Sequence, residues 1–258
     1  MPGYLSRLRF LCFLILVGTG ALLPGLAQAG SLERALAGWS RVIDLTHPAK
    51  SSFERGNEAW RPESVVTPGN LYPFEALGTQ VEAPLSPEKG GISVDKIPLH
   101  QLFGPAVVLN MVDRVQANPD YALTVEDLLG WERKNGKIPR KAVVLMLTGW
   151  GRRWPDTARY RNMDERGAMQ FPGFSRDAAE FLQDKRWING IGIDTPGLDP
   201  GASPNHPVRE LMIQGRKYQL KNLANLDKLP SKGAKLIVAP LPIEGGSGAP
   251  ARVLAILP

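Results

Sequence analysis

A chain of 258 residues with a formal net charge of +6, three histidines and one cysteine has a narrow set of chemical options. Cys12 is the single cysteine and sits in the N-terminal segment. The rest of the chain is therefore without a disulfide, a thiolate nucleophile or a thiolate metal ligand. Basic and acidic residues are interspersed, and no basic block is interleaved with aromatics, so the charge pattern carries no nucleic-acid footprint.

In chain order, Arg7 and Arg9 precede an apolar run from Phe10 to Leu23, and Ala27-Gln28-Ala29 supplies a small-x-small cleavage pattern. Residues 1–29 read as a signal peptide, with an uncleaved membrane anchor as the alternative. Cys12 lies inside the apolar run, which is not the place of a lipid-anchored cysteine. The expectation is a secreted or periplasmic protein that leaves the membrane after cleavage. Residues 30–258 are then one domain, long enough for a well-buried core. Loss of the two arginines lowers the formal charge from +6 to +4.

Beyond that segment, helical and strand patterns alternate with Pro and Gly breaks, which predicts an α/β or α+β chain. Val42 to Leu45 reads as a short strand closed by His47-Pro48, and residues 50–72, broken by Pro62 and Pro68, read as a long irregular loop. Ala106 to Val112 and Ala142 to Leu147 are apolar, β-branched-rich runs with the pattern of buried strands. Thr124 to Trp131 reads as a helix with Thr124 as cap and Asp127 three residues on. Ser175 to Gln183 reads as a second helix capped by Ser175. Gly190 to Ile193, Leu236 to Pro240 and Val253 to Leu257 complete the strands. Pro207 suits the first position of a helix towards Met212. Gly245-Gly246-Ser247-Gly248 lacks the lysine of a phosphate loop and reads as a turn between strands. No G-x-S-x-G elbow is present.

The stretch FEALGTQVEAPLS, residues 74–86, resembles the metal-binding signature H-x-G-T-H-x-D-A-P-x-H of the cyclase family, the kynurenine formamidase and isatin hydrolase type of metal hydrolase. The resemblance extends through VIDLTHP, VDKIPLHQLFGPAVVLNM, VLMLTGWGRRW, FPGFSRDAAEFL, GIGIDTPGLD and NLANLDKLPSKGAKLIVAPLPIEGGSGAPARVLAI, all in the family's order. It implies an α/β fold, the mixed-sheet swivelling β/β/α architecture, assembled as a dimer or tetramer. It also implies metal-activated attack of water on a small amide, formamide or lactam.

The residues at the family's ligand positions depart from that chemistry. Gly78, Thr79, Ala83 and Pro84 are kept, but Ala76, Gln80, Glu82 and Ser86 replace His, His, Asp and His. His206 matches a family histidine, and Lys221 stands where the family has glutamate. If residues 76–82 are extended, Ala76, Gly78, Gln80 and Glu82 share one face. Gln80, Glu82 and His206 form a weak ligand set beside the three strong ligands of a zinc hydrolase. The expectation is no tightly bound cofactor, with weak manganese, magnesium or zinc as the residual option.

An ammonium has no lone pair to give a metal, so Lys221 either supplies the positive charge that the metal gave or swings to solvent at the start of a short helix. Glu82 and His206 are the candidate catalytic groups. An imidazole at residue 206 can act as a general base, or it is a hydrogen-bonded loop histidine. Gln80, Lys221 and Trp150 are the candidate contacts to a small-molecule ligand, with Trp150 as an apolar wall or a packing residue. His47, at the end of the first strand, is a further candidate for the same pocket, whereas His100 reads as structural. Three readings stay open: a hydrolase with an altered, metal-poor site, a non-catalytic protein that binds an anionic small molecule in the former active site, and a structural oligomer with no working pocket.

Overall fold

The computed structural model describes residues 33, 37–38, 41–48, 54–55, 58–59, 78–86 and 90–258. The signal segment, Ala76 and most of the 50–72 loop lie outside them; within that loop only Glu54–Arg55 paired with Glu58–Ala59 is described. Among the described residues no helix is long and apolar enough to cross a membrane.

Eight strands form the main sheet: β1 (Val42–Asp44), β2 (Gln80–Glu82), β3 (Phe103–Asn110), β4 (Val143–Leu147), β5 (Gly190–Ile193), β6 (Tyr218–Lys221), β7 (Lys235–Pro240) and β8 (Gly248–Ile256). Their order is β1-β8-β7-β3-β4-β5-β6-β2, and β8 also pairs with β2, which closes seven of the strands into a barrel-like ring. β3 to β6 run parallel to their neighbours, while β6–β2, β2–β8, β8–β7 and β7–β3 are antiparallel. The mixed α/β architecture is the one expected from the sequence.

Alternation along the strands divides the core in two. Ala106, Val108, Val143, Leu145, Tyr218, Leu220 and Val81 face the interior of the ring together with Leu236, Val238 and Val253. Val107, Leu109, Val144, Met146, Ile191 and Ile193 face the other way, onto the helices. β4 is buried at all five positions. Its apolar residues alternate between two cores, so it reads as an unbroken hydrophobic run.

The helices are α1 (Val112–Ala117), α2 (Val125–Asn135), α3 (Thr157–Arg161), α4 (Arg176–Arg186) and α5 (Pro207–Gln214). Thr124 and Asp127 form the reciprocal capping box at the start of α2. Gly130 does not stop that helix; strong helix formers carry it on to Asn135, and Gly136, at φ 85°, ends it. Ser175 caps α4, which runs on to Arg186. The side chains of Glu132 on α2 and Arg186 on α4 join through two hydrogen bonds of 2.6 and 2.7 Å. Several strand ends differ from expectation. β1 stops at Asp44, β3 begins at Phe103 and ends at Asn110 because Val112 opens α1, and the starts of β4 and β7 move by one residue. The terminal strand, expected from Val253 to Leu257, runs from Gly248 to Ile256, so the glycine-rich turn ends one residue earlier.

The position of β6 depends on close approach across β5. A Cβ on Gly190 would lie 2.6 Å from the Tyr218 carbonyl oxygen and 2.9 Å from its ring. The carbonyl belongs to the neighbouring strand and cannot rotate away. Gly190→Ala is therefore expected to cost about 1–3 kcal/mol through overpacking. Chemical denaturation of the variant against wild type measures it, and an unchanged midpoint would contradict the close packing of β5 on β6.

Candidate functional site

Outside the ring, against the β6–β2 pair, lies a cavity of ≈ 520 Å³. Its lining includes Gln80, Glu82, His206 and Lys221, so the structure brings these four expected residues, distant in sequence, to one place. The register explains how. Glu82 pairs with Gln219 and Gln80 with Lys221 across the antiparallel β2–β6 ladder. Strand alternation turns Val81, Tyr218 and Leu220 into the ring and leaves Gln80, Glu82, Gln219 and Lys221 on the cavity face. Lys221 closes a strand opposite Gln80, which corrects the reading that placed it at a helix start.

The turn after Lys221 is fixed by buried polar contacts. Asn222, at φ 54°, donates through Nδ2 to the Gly78 carbonyl at 2.7 Å and accepts at Oδ1 from the Tyr160 hydroxyl at 2.8 Å. Thr79 Oγ1 donates to the Asn222 carbonyl and accepts from the His47 amide at 2.8 Å. The kept Gly78-Thr79 pair thus holds the end of β6 beside the start of β2.

Glu82 is the electrostatic centre of the cavity. Its side chain is 12% exposed, and Lys221 Nζ meets Oε2 while Arg209 Nε meets Oε1. Burial alone would raise its carboxyl; Lys221, then Arg209, more than offset this and hold it below the usual glutamate range. Arg209 was not singled out from the sequence. It lies on α5, three residues after His206, and only the packing of that helix brings it to β2.

His206 is the N-cap of α5, at φ 43°, and makes no side-chain cap bond. The open amides of the first turn are instead taken by Asp199, which accepts from Val208 N at 2.7 Å and Arg209 N at 3.1 Å. Burial pushes the Asp199 carboxyl up, and those two amides with His206 and Lys221 pull back only in part. Asp199 also escaped sequence reasoning. The signal for it was indirect: a helix opening on His-Pro with no capping side chain needs an acceptor from elsewhere.

Trp150 is not among the lining residues. It is 1% exposed, its indole donates to the Tyr160 carbonyl at 2.8 Å, and the Arg153 guanidinium lies 3.7 Å from the ring centroid. Apolar lining comes instead from Met169, Phe171 and Leu198. His47 does not line the cavity either. It stacks on Trp154 at 4.5 Å, and burial lowers its pKa to about 4. Ser86 is buried on a short strand paired with Gly90 and stands apart from the lining.

The cavity residues do not fit the family's divalent metal. Among the described residues no group of three or more His, Cys, Asp or Glu is arranged to hold an ion. Both Glu82 oxygens already meet cations, and a dication would have to displace an ammonium and stand beside a guanidinium. Asp199 spends its two oxygens on backbone amides.

Comparison with known proteins places this geometry. Residues 43–200 match the model of the cyclase family. Isatin hydrolase of Roseibium aggregatum is 39% identical over 168 residues; the match spans 64% of this chain and 63% of that protein, short of two thirds of its length. A kynurenine formamidase of Salinibacter ruber is 27% identical, over 74% of this chain and 81% of its own. The structure of isatin hydrolase A from Ralstonia solanacearum superposes with a TM-score of 0.75 at 33% identity, covering 93% of this chain and 99% of that one. A protein described as a potential metal-dependent hydrolase with cyclase activity superposes at a TM-score of 0.61 and 25% identity, over 84% of this chain and 98% of that one.

The ionic cluster has two measurable consequences. The folded-state pKa of Glu82 lies below its ordinary 4.5, so its contribution to stability is complete above that value and is lost as pH falls through the lowered pKa. The stability gap between wild type and Glu82→Gln in thermal unfolding should therefore shrink as pH falls below 4.5; a gap that is flat with pH would contradict the pairing. Lys221→Glu removes the ammonium and restores a carboxylate at a family ligand position. Millimolar manganese should raise the unfolding temperature of this variant and leave wild type unchanged, and an equal response in both would refute the exclusion of metal by Lys221.

Proposed function

Because the chain belongs to the cyclase family, we propose that it is a hydrolase-type protein whose cavity takes a small amide, formamide or lactam at a metal-poor site. The observation that carries this reading is the cavity itself, which is lined both by apolar Met169, Phe171 and Leu198 and by polar Gln80, Gln219, Lys221 and Arg209. Such a mixed lining suits a planar molecule with an apolar ring and one polar edge. The names of the relatives, isatin hydrolase and kynurenine formamidase, point to the same substrate class.

Within this reading the two candidate catalytic groups part. Glu82, engaged at both oxygens by cations, is a positioning residue that fixes Lys221 and Arg209 in the cavity lining. The base role falls to His206, exposed at the rim with no capping duty. Its imidazole takes a proton from water as that water attacks the carbonyl, and the ammonium of Lys221 faces the charge that develops on the carbonyl oxygen. Export to the periplasm and assembly into a dimer or tetramer belong to the same proposal.

A second reading, a non-catalytic binding protein, is favoured by the same ion cluster. Lys221 and Arg209 supply positive charge where the family places a metal, which suits an anionic ligand as well as a developing oxyanion.

Purified protein incubated with isatin and with formylkynurenine, followed by chromatography of the ring-opened or deformylated product, separates the two. The hydrolase reading expects slow turnover that survives EDTA and falls by about 10²–10⁴-fold in His206→Ala. Binding by calorimetry without turnover selects the second reading, and absence of both binding and turnover rejects the two together.

A further inference from the structure

Gln219 is 0% exposed, yet neither Nε2 nor Oε1 has a hydrogen-bond partner within the protein. Among the described residues it is the side chain whose donor and acceptor are both buried and unmatched. Its nearest polar neighbour across the ladder is Glu82, and both oxygens of Glu82 already meet Arg209 and Lys221. Proteins rarely keep a buried carboxamide in this state, because an unmatched polar group costs stability that an apolar side chain of the same size would not. The side chain lies on the wall of the cavity, on the same strand face as Lys221, which is where a ligand would supply the missing partners.

A carboxamide presents a C=O and an N–H side by side in one plane. A group that satisfies both at once is another amide whose N–H and C=O lie on the same side: the N–H donates to Oε1 while the carbonyl accepts from Nε2, in two parallel hydrogen bonds. A lactam has this edge fixed by its ring. An open-chain formamide in its usual trans geometry points N–H and C=O to opposite sides and can offer only one. A carboxylate offers two acceptors and leaves Oε1 unmatched.

We propose that Gln219 is the specificity-determining residue of the cavity and reads the cis-amide edge of a lactam. The assignment rests on the small-amide reading of the site and narrows it from amides in general to lactams. It gives the apolar lining of Met169, Phe171 and Leu198 the remainder of the ring.

The test uses the full chain and three probes: oxindole, which keeps the lactam edge; N-methyloxindole, which has lost the N–H; and formanilide, an open-chain amide. Wild type should bind oxindole about tenfold more tightly than either of the others in calorimetry, the worth of one net hydrogen bond. Gln219→Leu should erase that preference, so that all three probes bind alike. In the ligand-free protein the same substitution should raise the thermal midpoint by about 2–4 °C, since it removes an unmatched amide. A purely structural glutamine would lower it.

Should Gln219→Leu fold poorly, Gln219→Met keeps length and apolarity and is read in the same way. Oxindole binding with an unchanged preference in the variant overturns the role of Gln219 while the small-amide reading stands. Failure of wild type to bind any probe overturns both. A fall in the midpoint for both variants overturns the assignment by showing that Gln219 is held within the fold.

Discussion

A carboxylate taken out of water must be given a counter-charge, and Glu82 is where this protein meets that requirement. Desolvation of a charge costs several kcal/mol, and the attraction of a partner offsets this only at contact distance. Two cations answer it, Lys221 from the strand beside β2 and Arg209 from the helix that follows the 196–201 loop. The one carboxylate therefore ties a strand of the closed ring, a helix start and the end of a neighbouring strand into a single cluster. Lys221 and Arg209 thus give Glu82 the counter-charge that a bound metal would otherwise supply.

Geometry delivers those partners through the closure of the sheet. β2 is three residues long and pairs with β6 on one side and β8 on the other. A strand paired on both edges has a single register, and a shift of one residue would turn Glu82 into an apolar core and Val81 onto the cavity. Asn222, Thr79 and Gly78 lock the turn beyond, so Lys221 has no freedom to leave the cavity face. Asp199 plays the matching part for α5: by accepting from Val208 and Arg209 it caps the helix, frees His206 from that task and aims Arg209 at Glu82.

The cavity joins two unlike kinds of surface. Its lining includes ring and thioether carbons together with a set of charges that nearly cancels and a neutral carboxamide. Charges paired with each other lose much of their pull on a distant ion, whereas the Gln219 carboxamide beside them is buried without a hydrogen-bond partner within the protein. Glu82, Lys221 and Arg209 are joined in one ionic cluster on this face, with Gln219 beside them on the strand of Lys221.

The amino-acid sequence alone determined the class of the fold and much of the site. The β-branched runs ending in Leu147 and Ile193, the Thr124–Asp127 and Ser175 caps and the colinear blocks are local or near-local signals, and local backbone preference suffices to read them. It also showed that the family's ligand positions had changed, with imidazoles lost at residues 76, 80 and 86 and a carboxylate lost at residue 221, since these are legible as types at fixed spacing. What it could not show is which side chains meet. Arg209, Asp199 and Gln219 look like ordinary helix, loop and strand residues, and nothing in their neighbours marks them. Their roles arise from contacts across 127, 10 and 137 positions: Arg209 with Glu82, Asp199 with the amide of Arg209, and Gln219 with its ladder partner Glu82. The same holds for Trp150, whose place in a motif near the site said nothing of which core would bury it. Charge pairing and burial are properties of distance in space, and only the closed sheet set those distances.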